Sequence, residues 1–166
     1  MATVQVTEET FKDTVQQGIV LIDFWAAWCG PCRMFAPIFE EASERHPDVV
    51  FAKVDTDAEQ NLAAGFRVQS IPTVAVLRDG ILLGSQPGVM PPEVIDDVIR
   101  QVKELDMDAV RREIEAERAA AAGPDSDSAP PRQEEAPAGR SRPVRPRWRA
   151  NWRAPSRSPR GRRRSG

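Results

Sequence analysis

An almost unbroken apolar run near the start of the chain sets the strongest limit on its fold. Residues 19–25 read IVLIDFW, in which Asp23 is the only polar residue. Such a run is typical of a strand in the middle of a sheet, where both faces are covered. Short apolar runs alternate with helical stretches as far as about residue 105. This alternation predicts an α/β domain, with a central mixed sheet flanked by helices.

Capping residues, apolar spacing and one turn predict the other elements. Thr7 can cap a first helix, and Pro31 suits the first position of a second helix. Asp79-Gly80 between two apolar runs is the strongest short signal for a β-hairpin. Helices are predicted over residues 8–17, 31–45 and 58–66 and from Pro91-Pro92-Glu93 onward, and further strands over 3–6, 49–55, 73–78 and 81–86. The last helix is expected to bury Val94, Ile95, Val98, Ile99, Val102 and Leu105.

The chemical character of the chain changes after Asp108. Residues 1–108 contain 8 Lys or Arg and 18 Asp or Glu, a formal charge of −10, whereas residues 109–166 contain 15 Arg and 7 Asp or Glu, a charge of +8. We therefore predict one domain over 1–108, an exposed helical extension over 109–122 and a disordered tail rich in Arg, Pro and Ser over 123–166.

The end of the tail has a binding chemistry of its own. Residues 136–166 contain 11 Arg and no acidic residue, with Trp148 and Trp152 between arginines. Arginine binds phosphates and tryptophan stacks on bases, so weak contact with nucleic acid or an anionic surface is one interpretation. A solvated tail without a dedicated partner is the other interpretation.

The cysteine count excludes several classes of protein. Cys29 and Cys32 are the only cysteines, too few for the multiple disulfides of a small secreted scaffold. His46 is the only histidine, so a four-ligand zinc site is almost excluded and we predict no metal. No apolar run approaches the roughly 20 residues that span a bilayer. The chain also starts without the features of a signal peptide, so we expect a cytoplasmic protein.

The position of the two cysteines favours a redox dithiol over a structural or inert pair. A bridge across only Gly30-Pro31 would stabilise little, and half of a metal site would need two ligands from another chain. Both cysteines lie at the mouth of the second helix, where free backbone N–H groups and the helix dipole stabilise a thiolate. We expect Cys29 to be exposed and Cys32 to be covered, with Pro31 restraining the loop.

The motifs around the cysteines resemble those of the thioredoxin family. They are FWAAWCGPCRMFAP, the aspartate within IVLIDFW, the strand FAKVD, the loop SIPT, the Asp-Gly hairpin and Gly88, in the family's order over about residues 3–105. The start of the chain and LDMDAVRREI are similar to actinobacterial thioredoxins in particular. Arg33 and Ser70 stand where Lys and Gly are common, and neither change removes a reacting group.

The resemblance implies a thioredoxin-like fold and a protein-disulfide reductase that maintains redox homeostasis. The Cys29 thiolate would attack a protein disulfide, and Cys32 would then release the substrate by attacking Cys29. No bound cofactor is implied, because NADPH-dependent thioredoxin reductase would reduce the Cys29–Cys32 disulfide again. The expected partners are that reductase and oxidised proteins, and we expect a monomer. A binding or chaperone module recruited by the basic tail is the alternative, but it would need neither thiol.

Two charged residues in the predicted strands are candidates for proton transfer. Burial should raise the pKa of Asp23 because it removes water from the carboxylate, unless the side chain points to a polar edge or caps a loop. The resemblance implies that Asp23 lies beneath the dithiol and takes the Cys32 proton through water, with Lys53 as a nearby cation. Taken alone, Lys53 is compatible with a surface lysine.

The remaining candidates are expected to form a substrate-binding surface. Most X–Pro bonds are trans, but the resemblance implies a cis bond before Pro72. Such a bond would turn the Ile71 backbone toward the cysteines, where an extended substrate could pair with it. We expect Trp25 in the core and Trp28 on the rim that faces the substrate. Gly88 is compatible with a simple turn, and the resemblance implies close approach of a substrate backbone there.

Overall fold

The computed structural model of the protein describes residues 2–122. In that part of the chain the elements follow the order β1 (Thr3–Gln5), α1 (Glu8–Val15), β2 (Ile19–Trp25), α2 (Gly30–Arg45), β3 (Val50–Asp55), α3 (Gln60–Gly65), β4 (Thr73–Arg78), β5 (Ile81–Pro87), α4 (Pro92–Glu104) and α5 (Met107–Ala121). The predictions for the tail, residues 123–166, lie outside the described residues.

The described strands form one mixed sheet in the order β1-β3-β2-β4-β5. β3 is parallel to both β1 and β2, whereas β4 is antiparallel to β2 and to β5. The apolar run of residues 19–25 is the central strand, and its five middle residues are buried. The prediction of a mixed α/β sheet with this strand at its centre is therefore confirmed, as is the edge position of β1.

Several element boundaries differ slightly from the predictions. Helix α1 ends at Val15 rather than at residue 17, because the chain turns at Gly18, where φ is +85°. Helix α3 is shorter than predicted at both ends. Val94 and Leu105 are half-buried rather than buried; Val94 lies in the first turn of α4, and Leu105 lies just after the helix, which ends at Glu104. The strands over residues 19–25 and 73–78 match the predictions.

Alternation along β2 determines which side chains lie beneath α2. Leu21 is in register with Phe51 of β3, and the Phe51 ring contacts Phe39 of α2 with centroids 5.0 Å apart. Because side chains on a strand alternate between the faces of a sheet, Asp23 shares this face with Leu21. The other face is covered by α1 and α3, whose Phe11 and Phe66 rings pack together. Each fully buried phenylalanine stabilises the core by roughly 2–3 kcal/mol.

The described residues fall into two compact units, of which the second begins at Leu105. Within this second unit, α5 begins at Met107, two residues before the predicted start of the extension. The Asp106 carboxylate caps it by accepting the backbone N–H groups of Asp108 and Ala109. Residues 115–122 are exposed.

Candidate active site at the helix mouth

The two cysteines lie at the N-terminus of α2, and a sulfur caps the helix. Cys29 is the capping residue, and its Sγ accepts the backbone N–H of Cys32 at 3.2 Å. The two sulfurs form a disulfide with Cα atoms 5.3 Å apart, so this is the oxidised state. Once the disulfide opens, the free N–H groups of the helix N-terminus can stabilise a thiolate on Cys29.

Cys29 is covered in this state, so the prediction that it is exposed was wrong. Its exposed fraction is 4%, close to the 3% of Cys32. Trp25 and Ile71 pack against the pair, and each sulfur also shields the other. The sequence carried no local signal for this cover, because Ile71 is 42 residues away from Cys29 along the chain.

The Ile71–Pro72 segment places backbone next to the disulfide. The bond before Pro72 is cis, as the family resemblance implied. The Ile71 carbonyl oxygen lies 3.8 Å from Cys29 Sγ. On the other side of Pro72, its carbonyl oxygen accepts the backbone N–H of Gly88 at 2.8 Å. The segments around residues 29, 71 and 88 therefore meet at one end of the sheet.

Gly88 and Gly30 leave room near the disulfide for different reasons. Gly88 has φ of +96°, a left-handed conformation that favours glycine, and a side chain there would meet nothing within 4 Å. Gly30, the first residue of α2, is also next to open space, but its φ is not positive. Pro31 follows in the first turn of the helix, where its missing N–H costs no hydrogen bond.

A shallow, mostly apolar groove of about 330 Å³ lies beside the cysteines. Its walls are Trp28, Thr56, Ala63, Val68, Gln69, Ser70 and Ile71. Trp28 is 69% exposed, which is unusual for so large an apolar ring, and its indole N–H donates to Asp57 Oδ2 at 3.0 Å. Trp25, in contrast, is half-buried. The exposed ring is thus held in a fixed orientation at the rim of the groove.

Asp23 is completely buried and has an unusual protonation equilibrium. Neither of its carboxylate oxygens has a hydrogen-bond partner among the described residues. Burial raises the pKa of Asp23 from 3.8 to about 7, and the charge of Lys53 opposes part of this rise. Lys53 is the register neighbour of Asp23 on β3, and its Nζ lies 5.0 Å from the centroid of the Trp25 ring. A carboxylate in this environment can gain or lose a proton near neutral pH.

Comparison with known proteins places this geometry in a family. The thioredoxin family model matches residues 2–101. A relative from Streptomyces coelicolor is 49% identical over 123 residues, which cover 74% of this chain and 91% of the relative. The thioredoxin of Bacillus subtilis is 39% identical over 102 residues, 61% of this chain and 98% of that protein. A solved structure of a thioredoxin from Halobacterium salinarum has a TM-score of 0.59 at 32% identity, covering 62% of this chain and 92% of that one.

The chain belongs to the thioredoxin family. It is a thiol–disulfide oxidoreductase that reduces protein disulfides through its cysteine pair. As in other thioredoxins, the redox-active disulfide is part of the protein itself, and thioredoxin reductase recycles it without a cofactor bound to the thioredoxin. The predicted thioredoxin-like fold and reductase activity are thus confirmed.

Sequence reasoning missed some residues of this thioredoxin site. Nothing in the sequence marked Asp57, the acceptor for the Trp28 indole, as a site residue, because an exposed aspartate after a strand is common. The sequence did not mark Val68 and Gln69 of the groove either, because they become neighbours of Trp28 only when the chain folds. Residues 2–122 contain no group of three or more His, Cys, Asp or Glu side chains that could hold a metal ion. No helix in this range could cross a membrane.

Proposed function

We propose that Cys29 is the attacking sulfur and Cys32 the resolving sulfur of this reductase. The Cys29 thiolate attacks one sulfur of a substrate disulfide, whose S–S bond breaks as the mixed disulfide forms and the other substrate sulfur leaves as a thiolate. Cys32 then loses its proton and attacks Cys29 Sγ, which releases the second substrate thiolate and restores the Cys29–Cys32 disulfide. The position of Cys29 at the helix cap supports this order, because only the cap sulfur already accepts a helix N–H.

Asp23 is the proposed acceptor of the Cys32 proton. Its pKa of about 7 leaves it partly ionised at neutral pH, so it can both take up and release a proton. It makes no direct hydrogen bond to Cys32, so we place a water molecule between the two groups. Lys53 keeps part of the Asp23 population ionised because its positive charge lowers the Asp23 pKa.

The groove and the backbone beside it are the proposed substrate-binding surface. Trp28 and Ile71 would hold apolar side chains of the substrate near its cystine, and the Ile71 backbone next to Cys29 would pair with an extended substrate segment. Pro72 fixes this backbone, and Gly88 leaves space for the substrate chain. Gly30 and Pro31 are supporting residues that keep the loop between the cysteines open and restrained.

The single observation that supports this function best is the disulfide at the helix N-terminus beside an open groove. The test is dithiothreitol-driven reduction of insulin by the wild type, Cys29→Ser and Cys32→Ser. Cys29→Ser should abolish the reaction. Cys32→Ser should also lose turnover but accumulate mixed disulfides with its substrates, which mass spectrometry detects. Turnover that survives Cys32→Ser unchanged would reject the two-sulfur mechanism.

The cellular setting of the reductase is also part of the proposal. We place it in the cytoplasm as a monomer, with its domain ending at Asp108. The arginines of residues 136–166 would provide a weak, salt-sensitive contact with nucleic acid or another anionic surface. Truncation after Ala122 should leave insulin reduction intact and abolish retention on heparin or RNA at low salt. Loss of reduction on truncation would instead show that the domain boundary is misplaced.

A further inference from the structure

Most basic side chains of the unit that ends at Glu104 make an ion pair, a hydrogen bond or a ring contact within the protein. Arg45, Arg100 and Lys103 form ion pairs with carboxylates. Arg78 donates to the Val102 carbonyl oxygen, and Lys53 lies over the Trp25 ring. Three cations of this described unit make no such contact: Lys12, Arg33 and Arg67. Because acidic side chains outnumber basic ones in this unit, a basic side chain left without an acidic partner is a candidate for contact with another molecule.

Two of these three cations lie beside the active site. Arg33 directly follows Cys32, is exposed, and donates its backbone N–H to the Cys29 carbonyl oxygen at 3.3 Å. Arg67 is exposed and directly precedes Val68, a wall of the groove. Lys12 is on α1, which packs on the sheet face opposite α2. Arg33 and Arg67 are therefore each adjacent in sequence to a residue of the site, Arg33 within α2 and Arg67 just after α3.

Arg67 occupies a backbone position that normally favours glycine. It follows α3, with φ of +54° and its N–H donated to the Ala64 carbonyl oxygen, while the Val68 N–H bonds to Ala63. This is the Schellman arrangement that ends many helices, in which the left-handed residue is usually glycine or asparagine. An arginine there carries a conformational cost that a glycine would avoid, and backbone outliers of this kind cluster at functional sites.

The carboxylates nearest the groove are already used as acceptors. Asp57 accepts the indole N–H of Trp28, and Asp55 accepts the backbone N–H of Asp57 at 2.9 Å. An approaching carboxylate would find two guanidinium groups with unused donors, and these would offset the negative charge that Asp55 and Asp57 retain. Arginine is well suited to this role because its fork of N–H groups matches a carboxylate.

We infer that Arg33 and Arg67 select oxidised protein segments in which acidic residues flank the cystine. The inference rests on the proposed substrate surface and adds a charge preference to it. The attraction acts on association, so it changes kcat/KM and weakens as salt rises. It does not alter the sulfur chemistry, since neither arginine contacts a reacting sulfur.

The test compares three disulfide peptides that differ only in having Glu, Gln or Lys beside each cysteine. The second-order rate constant for their reduction by the pre-reduced full chain is measured by quantifying released thiol. In low salt the acidic peptide should react faster than the basic one. Arg33→Gln and Arg67→Asn should each lower this acidic-to-basic ratio about two- to five-fold. Asn tolerates the left-handed backbone at position 67, so that variant does not add strain.

Matched controls separate a local effect from net charge. Lys12→Gln removes the same charge from the opposite face and should leave the ratio unchanged, and Arg67→Lys should retain most of it. In 1 M salt, where the Debye length is about 3 Å, the wild-type ratio should approach one. A wild-type ratio of one at low salt, or an equal fall in Lys12→Gln, would overturn the inference. Slow reduction of all three peptides by the wild type would instead count against the proposed function itself.

Discussion

The two ends of helix α2 differ in how well their charges and backbone groups are satisfied. At its C-terminus, Arg45 and His46 both contact Asp96 of α4, at 3.0 and 2.7 Å. A basic residue in the last turn also suits the negative end of the helix dipole. At its N-terminus, a sulfur takes the capping position, and the first turn contains no acidic residue. Stable helix starts prefer an oxygen cap and acidic residues, which this protein does use in α1, with Thr7 and Glu8.

This difference indicates that the N-terminus of α2 is less stabilised than it could be, in a way that favours a thiolate on Cys29. An acid in the first turn of α2 would occupy the same N–H groups that a Cys29 thiolate needs, and its charge would disfavour that thiolate. Asp23, on the sheet face that α2 covers, is buried without a hydrogen-bond partner, whereas Asp96 is contacted by both Arg45 and His46. Groups left unsatisfied at one end of a well-ordered helix are expected at functional sites rather than in scaffold.

The largest expected effect of breaking this contrast is at Asp23. Its pKa is about 7 in the folded state, against an ordinary value of 3.8, so the folded state holds the proton more tightly. The destabilisation caused by burying the Asp23 charge is absent below about pH 4. It grows as pH rises from about 4 to about 7 and is complete above about pH 7. Asp23→Asn should therefore raise the free energy of unfolding by on the order of 4 kcal/mol at pH 8.

Urea unfolding of the oxidised wild type and Asp23→Asn at pH 8 and pH 3.5 measures this effect. The gain should nearly vanish at pH 3.5, where the wild-type Asp23 is protonated in the folded state and mostly protonated in the unfolded state. An equal gain at the two pH values would mean that the substitution acts through packing and not through charge. If Asp23 accepts the Cys32 proton as proposed, the same variant should also slow the release of mixed disulfides.

A smaller effect is expected at the rim of the groove. Asp57→Ala removes the acceptor for the Trp28 indole, a hydrogen bond worth about 1 kcal/mol. With Trp28 no longer held, kcat/KM for insulin reduction should fall about two- to five-fold, while stability to urea changes by less than about 1 kcal/mol. The indole N–H signal of Trp28 in NMR spectra should shift at the same time.

Asp57→Asn is the control for this experiment, because its amide oxygen can still accept the indole N–H. It should keep most of the activity. If Asn and Ala lower kcat/KM equally, the negative charge of Asp57 matters and the orientation of Trp28 does not.

The predictions from sequence succeeded where the signal was local and missed contacts made across the fold. The apolar run around Asp23 was sufficient to indicate a central strand and a buried carboxylate with a raised pKa. The position of Cys29 at the mouth of α2 followed from a proline two residues later. The cover over Cys29 did not follow, because Ile71 reaches it from 42 residues away, and the Trp28–Asp57 bond spans 29 residues. The resemblance implied that the Ile71 backbone faces the cysteines, but not that Ile71 and Trp25 pack against them closely enough to cover Cys29.

The backbone at Arg67 was missed for a related reason. A left-handed residue after a helix is usually recognised by glycine, and Arg67 gives no such signal. Its conformation is set by the hydrogen bonds that close α3, not by its own preference. The site is therefore predictable in its reacting groups and much less so in the surface that would receive a substrate.

The smallest expected effect is at the C-terminal end of α2, and it tests whether the two ends are separable. Asp96→Asn removes the charge that holds Arg45 and His46. The His46 contact, more than the burial that opposes it, keeps the pKa of Asp96 below its usual value. The stabilisation is therefore present above about pH 4 and is lost as pH falls through the lowered pKa. The Asp96 side chain is 44% exposed, so the loss at pH 7 should be less than about 1 kcal/mol.

Insulin reduction by Asp96→Asn should match that of the wild type, since Asp96 contacts no residue of the dithiol end among those described. Urea unfolding at pH 7 in 0.1 M and 1 M salt provides the second measurement, because screening should reduce the small difference in stability. A variant that unfolds normally yet reduces insulin several-fold more slowly would show that α2 transmits changes from one end to the other. In that case the ion pairs at the C-terminus position the cysteines as well as stabilise the helix.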